Sequence, residues 1–276
     1  MTRPRSLAGD APWAMYRPSL EAAISAATAR GGQPPPPSSA SATQAAITRH
    51  RAAPVERAPT CYRLGRVGVM PVFGTVRPRG GISIMALLFG ASGGFVLEQA
   101  ARDLRGLLED PAVDAILLDV SSAGGLVEGV EAFAGMVHAA RGQKPLRAYV
   151  SGMAASAAYW IAAAADSIWT APTGQLGSIG VVATYTDWRK FDERVGVEEI
   201  EFVSSQSPNK RPDPKSEAGA ALIQRRVDDL AEVFVGDVAK FRGITRDAVL
   251  EKYGAGNLLV GARAVAAGVA DAAGGF

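Results

Sequence analysis

The strongest constraint on the fold is an alternation. From about Tyr62 onward, short apolar runs of strand length give way in turn to longer segments with helical spacing. "RVGVMPVFGTV" is β-branched and apolar and reads as a buried strand. "FVLEQAARDLRGLLED" places Phe95, Leu97, Ala101, Leu104 and Leu108 at helical intervals. "DAILLDV", Asp114 to Val120, is a continuous apolar strand that runs through "SSAGG" into the helix-like "LVEGVEAFAGMVHAARG". "LRAYV", Leu146 to Val150, is another strand, followed by "SGMAASAAYWIAAAAD". Beyond "SIWTAP" and "GSIGVVATY" come a helix-like "DWRKFDERVG", a strand-like "EEIEFVS" and a long helix from about Ser216 to Phe241. Strands separated by helices pair in parallel, and strands apolar on both faces need cover on both sides. The expected class is therefore α/β, a largely parallel sheet covered by helices.

The first sixty residues do not share this pattern. "RGGQPPPPSSASATQAAITRHRAAPVERAPT" is rich in Pro, Ser, Ala and Arg and reads as an extended linker. Ahead of it, "PSLEAAISAATAR" has the composition of one short helix. The expected division is a flexible Pro/Ala-rich arm and linker over 1–60 and one folded domain over 61–276.

Composition narrows the function classes. With 48% hydrophobic residues in 276, a substantial core is available. A net charge of +2 gives no electrostatic footprint for nucleic acid. Cys61 is the single cysteine, which excludes an internal disulfide and argues against a thiolate metal site; it is expected to be inert. The start, "MTRPRSLAGDAPWAMYRPSL", has no apolar run in the signal-peptide position. The longest apolar stretch, Gly81 to Leu97, is broken by glycines and is short for a membrane span. It is expected to be a loop and helix entry, a candidate for a groove lining or a subunit contact. A cytoplasmic protein without a membrane span is the expectation.

Two places have the form strand, small-residue turn, helix. In "LLDVSSAGGLVEGV", Gly124 and Gly125 are expected to form the turn, with N–H groups open to an anion or a carbonyl oxygen. In "LRAYVSGMAASAAYWIAAAAD", Ser151, Gly152 and Met153 are expected to turn the chain and Ser156 to open a helix. The small neighbours of Ser156 would let a substrate backbone approach. Ser156 is either a helix cap or a nucleophile. A nucleophile needs a base, and histidine is poorly supplied: His50 lies in the arm and His138 near a helix end. Lysine is the alternative. Lys210 and Lys215 lie in the loop "SSQSPNKRPDPK", whereas Lys190, Lys240 and Lys252 fall in polar helical patterns and Lys144 in a turn. A lysine acting as base must be neutral, so its pKa must fall from about 10.4 by burial.

The run "SGMAASAAYWIAAAADSIWTAPTGQLGSIGVV" resembles the active-site segment of the S49 serine peptidases, the signal peptide peptidase A family and the related phage prohead proteases. The resemblance extends over roughly Arg66 to Gly275 and takes in "DAILLDVSSAGG", "SQSPNKRPDP" and "GARAVAAGVADAAGG". It implies a ClpP/crotonase-like fold and a Ser/Lys dyad. Carried over by motif, the nucleophile falls on Ser156 and the base on Lys210, with Lys215 as the fallback. Ser178, in "GSIG", matches a hydroxyl that orients the lysine amine. The backbone N–H groups of Gly125 and Ala157 match the oxyanion hole. The chain departs from the family in reading "SSAGG" for the usual "DSPGG", and in following the nucleophile with Ala157 and Ala158 rather than two glycines. The second change narrows the space beside Ser156 and bears on substrate range.

The resemblance implies a peptide or protein substrate, no metal or cofactor, and a homo-oligomeric ring. The soluble arm and the single motif set favour the phage head-maturation branch, with capsid or scaffold proteins as substrates and a place in the procapsid. A cytoplasmic signal-peptide-peptidase-like enzyme that degrades peptides is the alternative. Two further readings keep the fold and change the function. A crotonase-like acyl-CoA enzyme would need an acid/base pair, for which Asp110, Glu128 and Glu131 are the available carboxylates. A non-catalytic scaffold would leave Ser156 and Lys210 unused.

Overall fold

The strands of the parallel core are joined by helical crossovers, of which two bury one apolar stripe and a third is buried all round. In the computed structural model the described residues are 13–15, 53–80 and 94–275. The expected helix in Pro18–Arg30, the proline run, His50 and all but the last four residues of the Gly81–Leu97 stretch lie outside them. The first elements are β1 (Trp13–Met15), β2 (Ala53–Pro54), β3 (Tyr62–Leu64) and β4 (Val67–Val76). Strand β3 forms an antiparallel pair on each side, with β2 and with β4. Helix α1 (Leu97–Glu109) then buries Leu97, Ala100, Leu104 and Leu107. Of the expected stripe Leu97 and Leu104 are buried, while Ala101 and Leu108 lie half-buried at its edge.

The parallel core follows. Strand β5 (Ala115–Leu126) pairs in parallel with β4 on one side and with β6 (Leu146–Ala155) on the other. Between them runs α2 (Val130–Ala139), which buries Val130, Phe133, Ala134 and Val137. Helix α3 (Ala157–Ala163) leads to β7 (Ser167–Thr170), which pairs in parallel with β6. Strand β8 (Gln175–Gly177) pairs with the far end of β6. The chain continues through α4 (Arg189–Val195), a 3-10 turn at Pro208–Lys210 and the long α5 (Glu217–Arg242). It closes with α6 (Arg246–Lys252), β9 (Leu258–Val260), α7 (Ala262–Ala266) and β10 (Ala272–Ala273). Strand β9 pairs antiparallel with β8, and β10 pairs in parallel with β7. Among the described residues these strands form one sheet, and the path β10-β7-β6-β5-β4 within it is parallel throughout. This is the α/β, ClpP/crotonase-like architecture, a mostly parallel sheet with flanking helices.

Three local expectations are corrected. Gly124 and Gly125 do not turn the chain; they continue β5 to Leu126. The strand absorbs an extra residue between Phe73 and Thr75 of β4, where pairing shifts from Ser121 to Gly124. Gly125 has to be glycine because a Cβ there would lie 1.9 Å from the Val76 carbonyl oxygen. Likewise Ser151, Gly152 and Met153 do not end β6. They form an irregularity inside it, between the pairs Val120–Val150 and Ser122–Ala154. The segment "EEIEFVS" is not a strand: it has no sheet partner, and Phe202 is 95% exposed. Its alternation of carboxylates and apolar residues suits an edge strand, but among the described residues no strand pairs with it.

Helix α3 is the most enclosed helix of the fold, with all seven residues buried. Trp160 stacks on Phe234 of α5 with centroids 4.4 Å apart, and its Nε1–H donates to Asp237 at 2.9 Å. The Tyr159 hydroxyl donates to the Val269 carbonyl at 3.0 Å. At the C-terminal end, Arg141 donates to the carbonyls of Ala163, Ala164 and Ala165, and also to that of Phe241. One guanidinium thus satisfies carbonyls that a helix end leaves without partners, at the negative pole of the helix. Arg141→Ala is expected to destabilise the protein by about 2–3 kcal/mol, the worth of charged hydrogen bonds to otherwise unsatisfied groups. Denaturant unfolding should show a lower midpoint with an unchanged slope. Lysine, a single point donor without the planar fork, should restore only part of the loss.

Candidate active site

Strand β6 ends at Ala155 and α3 begins at Ala157, so Ser156 alone makes the change of direction. It does so with φ 56° and ψ −123°, a conformation that L residues rarely adopt. Holding a non-glycine residue there costs about 1–3 kcal/mol, and such strain concentrates where function requires a placement. A serine on a sharp strand-to-helix turn is the arrangement that presents a nucleophile. Both backbone groups of Ser156 are engaged: its N–H donates to the Gly177 carbonyl at 2.8 Å, and its carbonyl accepts from Trp160 N–H at 3.0 Å. The side chain makes no capping hydrogen bond although the residue sits at the cap position, and the residue is 1% exposed. The cap reading of Ser156 therefore fails on geometry.

Ser178 lies beside it. Strands β6 and β8 pair Ala155 with Gly177, so the next residues along the two chains are Ser156 and Ser178. Ser178 also has positive φ, 52°, and its N–H donates to the Asn257 carbonyl at 2.9 Å. Among the described residues only three non-glycines have positive φ, and two of them are Ser156 and Ser178. The sheet thus forces the same unusual backbone on two adjacent hydroxyl residues.

Of the two residues whose N–H groups the sequence singles out, Ala157 adjoins this point in the chain. Ala157 is the first residue of α3, so its N–H has no acceptor within the helix. Gly125 lies on β5, which pairs Ser122 with Ala154 of β6, two residues before Ser156. Ser122 braces this stretch: its hydroxyl donates to the Gly74 carbonyl at 2.5 Å and accepts from Gly124 N–H at 3.1 Å. The small residues around Ser156 do not form a substrate surface, contrary to expectation. Ala154, Ala155, Ala157 and Ala158 are fully buried, and their size serves the packing of α3 under the sheet.

Lys210 stands outside this arrangement. It is exposed in the 3-10 turn and lines a cavity of about 560 Å³ with Tyr185, Glu201, Leu222 and Arg226, and neither Ser156 nor Ser178 lines that cavity. Lys215 is paired with Asp187, whose carboxyl is held well below its usual range by Arg189 and then by Lys215. Lys144 donates to the carbonyls of Leu107 and Asp110, both at 2.8 Å, and so serves the end of α1. His138 packs against Phe241 with centroids 4.7 Å apart, and burial, with Arg141 and Lys240, lowers its pKa. Burial pushes the Cys61 thiol up to about 12, aided by nearby Asp103, so the thiol stays protonated at neutral pH. The carboxylates of the acyl-CoA alternative do not form an acid/base pair: Asp110 accepts from Ala112 N–H in a turn, and Glu128 and Glu131 are exposed. Among the described residues no helix is long and apolar enough to cross a membrane.

The residue that sequence reasoning passed over is Asp119. It is buried in the middle of β5, where burial pushes its carboxyl up and the hydroxyl of Ser151, donating at 3.1 Å, partly offsets this. Its only signal in the sequence is a charge inside the otherwise apolar "AILLDV".

Comparison with known proteins gives the chain its relatives. It is 31% identical to the capsid assembly protease C of Escherichia phage lambda over 74% of this chain and 46% of that protein. It is 30% identical to the head-tail preconnector protein GP5 of Enterobacteria phage P21, over 78% of this chain and 42% of that protein. A putative signal peptide peptidase SppA of Enterococcus faecium is 32% identical over 61% of this chain and 49% of that protein. The chain therefore spans less than half the length of each of these relatives. The conserved description of Peptidase family S49 matches residues 138–276, which hold α3, both serines and the lysine loop. With that half of the chain matched, and the lambda protein aligned across three quarters of it, the chain belongs to peptidase family S49.

Proposed function

We propose that the protein is a serine endopeptidase with Ser156 as nucleophile and Lys210 as general base, and that it processes capsid or scaffold proteins during phage head maturation. The observation that carries the reading is the strained, uncapped Ser156 at the β6–α3 junction beside Ser178. In the reaction, neutral Lys210 takes the Ser156 proton as the hydroxyl attacks a peptide carbonyl. The N–H groups of Gly125 and Ala157 hold the oxyanion. Lys210 then protonates the leaving amine, and water hydrolyses the acyl-enzyme. Ser178 orients the lysine amine. The peptidase domain is read as 61–276 after the arm and linker of 1–60, with the last residues of that linker joined to it: β2 pairs with β3, and Val55 and Ala58 are buried in the core.

Lys210 reaches a serine through assembly into a homo-oligomeric ring. The segment ahead of it presents Val197, Ile200 and Phe202 to solvent, with Ile200 68% exposed. These side chains fit a second copy of the chain, and covering them would carry the lysine loop from one subunit to the serine of the next. The phage branch is favoured by its two relatives, which align over 74% and 78% of the chain against 61% for the signal peptide peptidase. Peptide degradation of the signal-peptide-peptidase kind is the second reading, supported by that relative's name. A serine-directed fluorophosphonate tests the nucleophile: it should label wild type and leave Ser156→Ala unlabelled. Incubation with procapsid proteins against a set of free signal peptides tests the branch. Cleavage of the signal peptides alone would overturn the phage assignment.

A further inference from the structure

The sheet edge next to Ser156 is already occupied, and by this chain. Strand β5 is paired with β6 as far as Ser122, opposite Ala154. Beyond that pair β6 leaves for β8 and the Ser156 turn, so among the described residues Gly124 and Gly125 have β4 on one side and no core strand on the other. Strand β1 fills the vacancy. It runs antiparallel to β5 with Met15 opposite Gly124, Ala14 opposite Gly125 and Trp13 opposite Leu126. An open edge of this kind accepts an extended peptide through main-chain hydrogen bonds, whatever its side chains. Gly124 and Gly125 present no side chain to the incoming strand.

We propose that residues 13–15 are a tethered occupant of the peptide-binding edge and compete there with substrate. The proposal rests on the assignment of the β5 edge and Ser156 as one active site. A peptide that pairs with Gly124–Leu126 and the arm that pairs with the same residues exclude each other. Residues 16–52 separate β1 from β2 along the sequence, so pairing of β1 with β5 is intramolecular and gains the effective concentration of a covalent connection. Backbone pairing over three residues is weak, so the arm occludes the edge and yields to a longer substrate.

The test uses the full chain carrying Ala14→Pro and Met15→Pro. Two successive prolines remove both N–H groups of the pair, so the ladder to β5 breaks whichever residue donates. Hydrogen exchange at the Gly124–Leu126 amides should speed up in the variant. The KM for a peptide substrate should fall roughly fivefold, with kcat little changed, because the fraction of open sites rises. A synthetic peptide of residues 10–20, DAPWAMYRPSL, should inhibit the variant competitively and wild type more weakly. Exchange equally slow in both proteins overturns the occupancy. Exchange that speeds up while KM holds, with no inhibition by the peptide, overturns the competition. The exchange measurement does not depend on catalysis, so it separates failure of this proposal from failure of the Ser156 assignment.

Discussion

Ser156→Ala is expected to lower peptide cleavage by on the order of 10⁴-fold or more, while the melting temperature stays level or rises. The two halves of this result come from the same geometry. The loss in rate follows if the hydroxyl is the atom that attacks; nothing else at the β6–α3 junction replaces it. The unchanged stability follows from what the hydroxyl does not do. It caps no helix, although Ser156 occupies the cap position of α3. A working cap lost to alanine would cost about 1 kcal/mol. A hydroxyl that makes no capping hydrogen bond takes no such contribution with it when it is removed. The backbone strain at φ 56° remains in the alanine variant, so it does not enter the comparison. Ser156→Gly separates the terms further: it is as inactive as alanine, and it is more stable by about 1 kcal/mol because glycine tolerates positive φ. Thermal melting together with steady-state cleavage of a quenched peptide reads both quantities. Retained cleavage in the alanine variant sinks the nucleophile assignment. A drop in melting temperature with retained cleavage returns Ser156 to a structural role.

The elements that were legible in the sequence are those whose burial follows from local pattern. The α1 stripe places Leu97 and Leu104 inside, and the long α5 spans Glu217–Arg242 against an expected start near Ser216. Ser216 announces that start, since its hydroxyl accepts from Gly219 N–H at 3.0 Å. The misread stretches depend on a neighbour. Gly124 and Gly125 look like turn glycines, but Gly125 is required by the close passage of the Val76 carbonyl, which only the folded sheet brings there. Ser151–Met153 look like a strand end, yet pairing with β8 extends β6 to Ala155. "EEIEFVS" has the alternation of a strand but, among the described residues, no paired strand, so pattern alone could not show that it stays outside the sheet. The site is similar. Ser156 and Ser178 were legible through a motif, and the unusual φ they share is set by β6–β8 pairing and invisible in composition. The arm strand β1 carried no signal at all: three residues between Pro12 and Tyr16 fall below the length at which periodicity means anything.

Lys210→Ala is expected to lower cleavage by about 10³-fold, within the range that a general base contributes, and Lys215→Ala to leave it within about twofold. The contrast follows from what each amine already does. Lys215 is engaged with Asp187 in an ion pair whose lysine side chain is 60% exposed, so its loss costs stability little. Lys210 faces a cavity and lies at the end of an exposed segment whose apolar side chains await cover. A base must give up its charge, and desolvation is what lowers a lysine pKa from about 10.4. An exposed loop in one chain does not provide it, whereas the proposed closure of that loop under a second copy would. The rate should therefore fall on dilution below the assembly concentration, and kcat/KM should rise with pH to a plateau set by the buried lysine. Mixing two inactive proteins decides where the base comes from. In a ring assembled from equal parts of Ser156→Ala and Lys210→Ala chains, a site spanning two subunits is intact in about one case in four. Recovery of roughly a quarter of wild-type activity after reassembly is the expected result. A mixture as inactive as its components places serine and lysine on one chain, and full inactivity of Lys215→Ala with an active Lys210→Ala moves the base to Lys215.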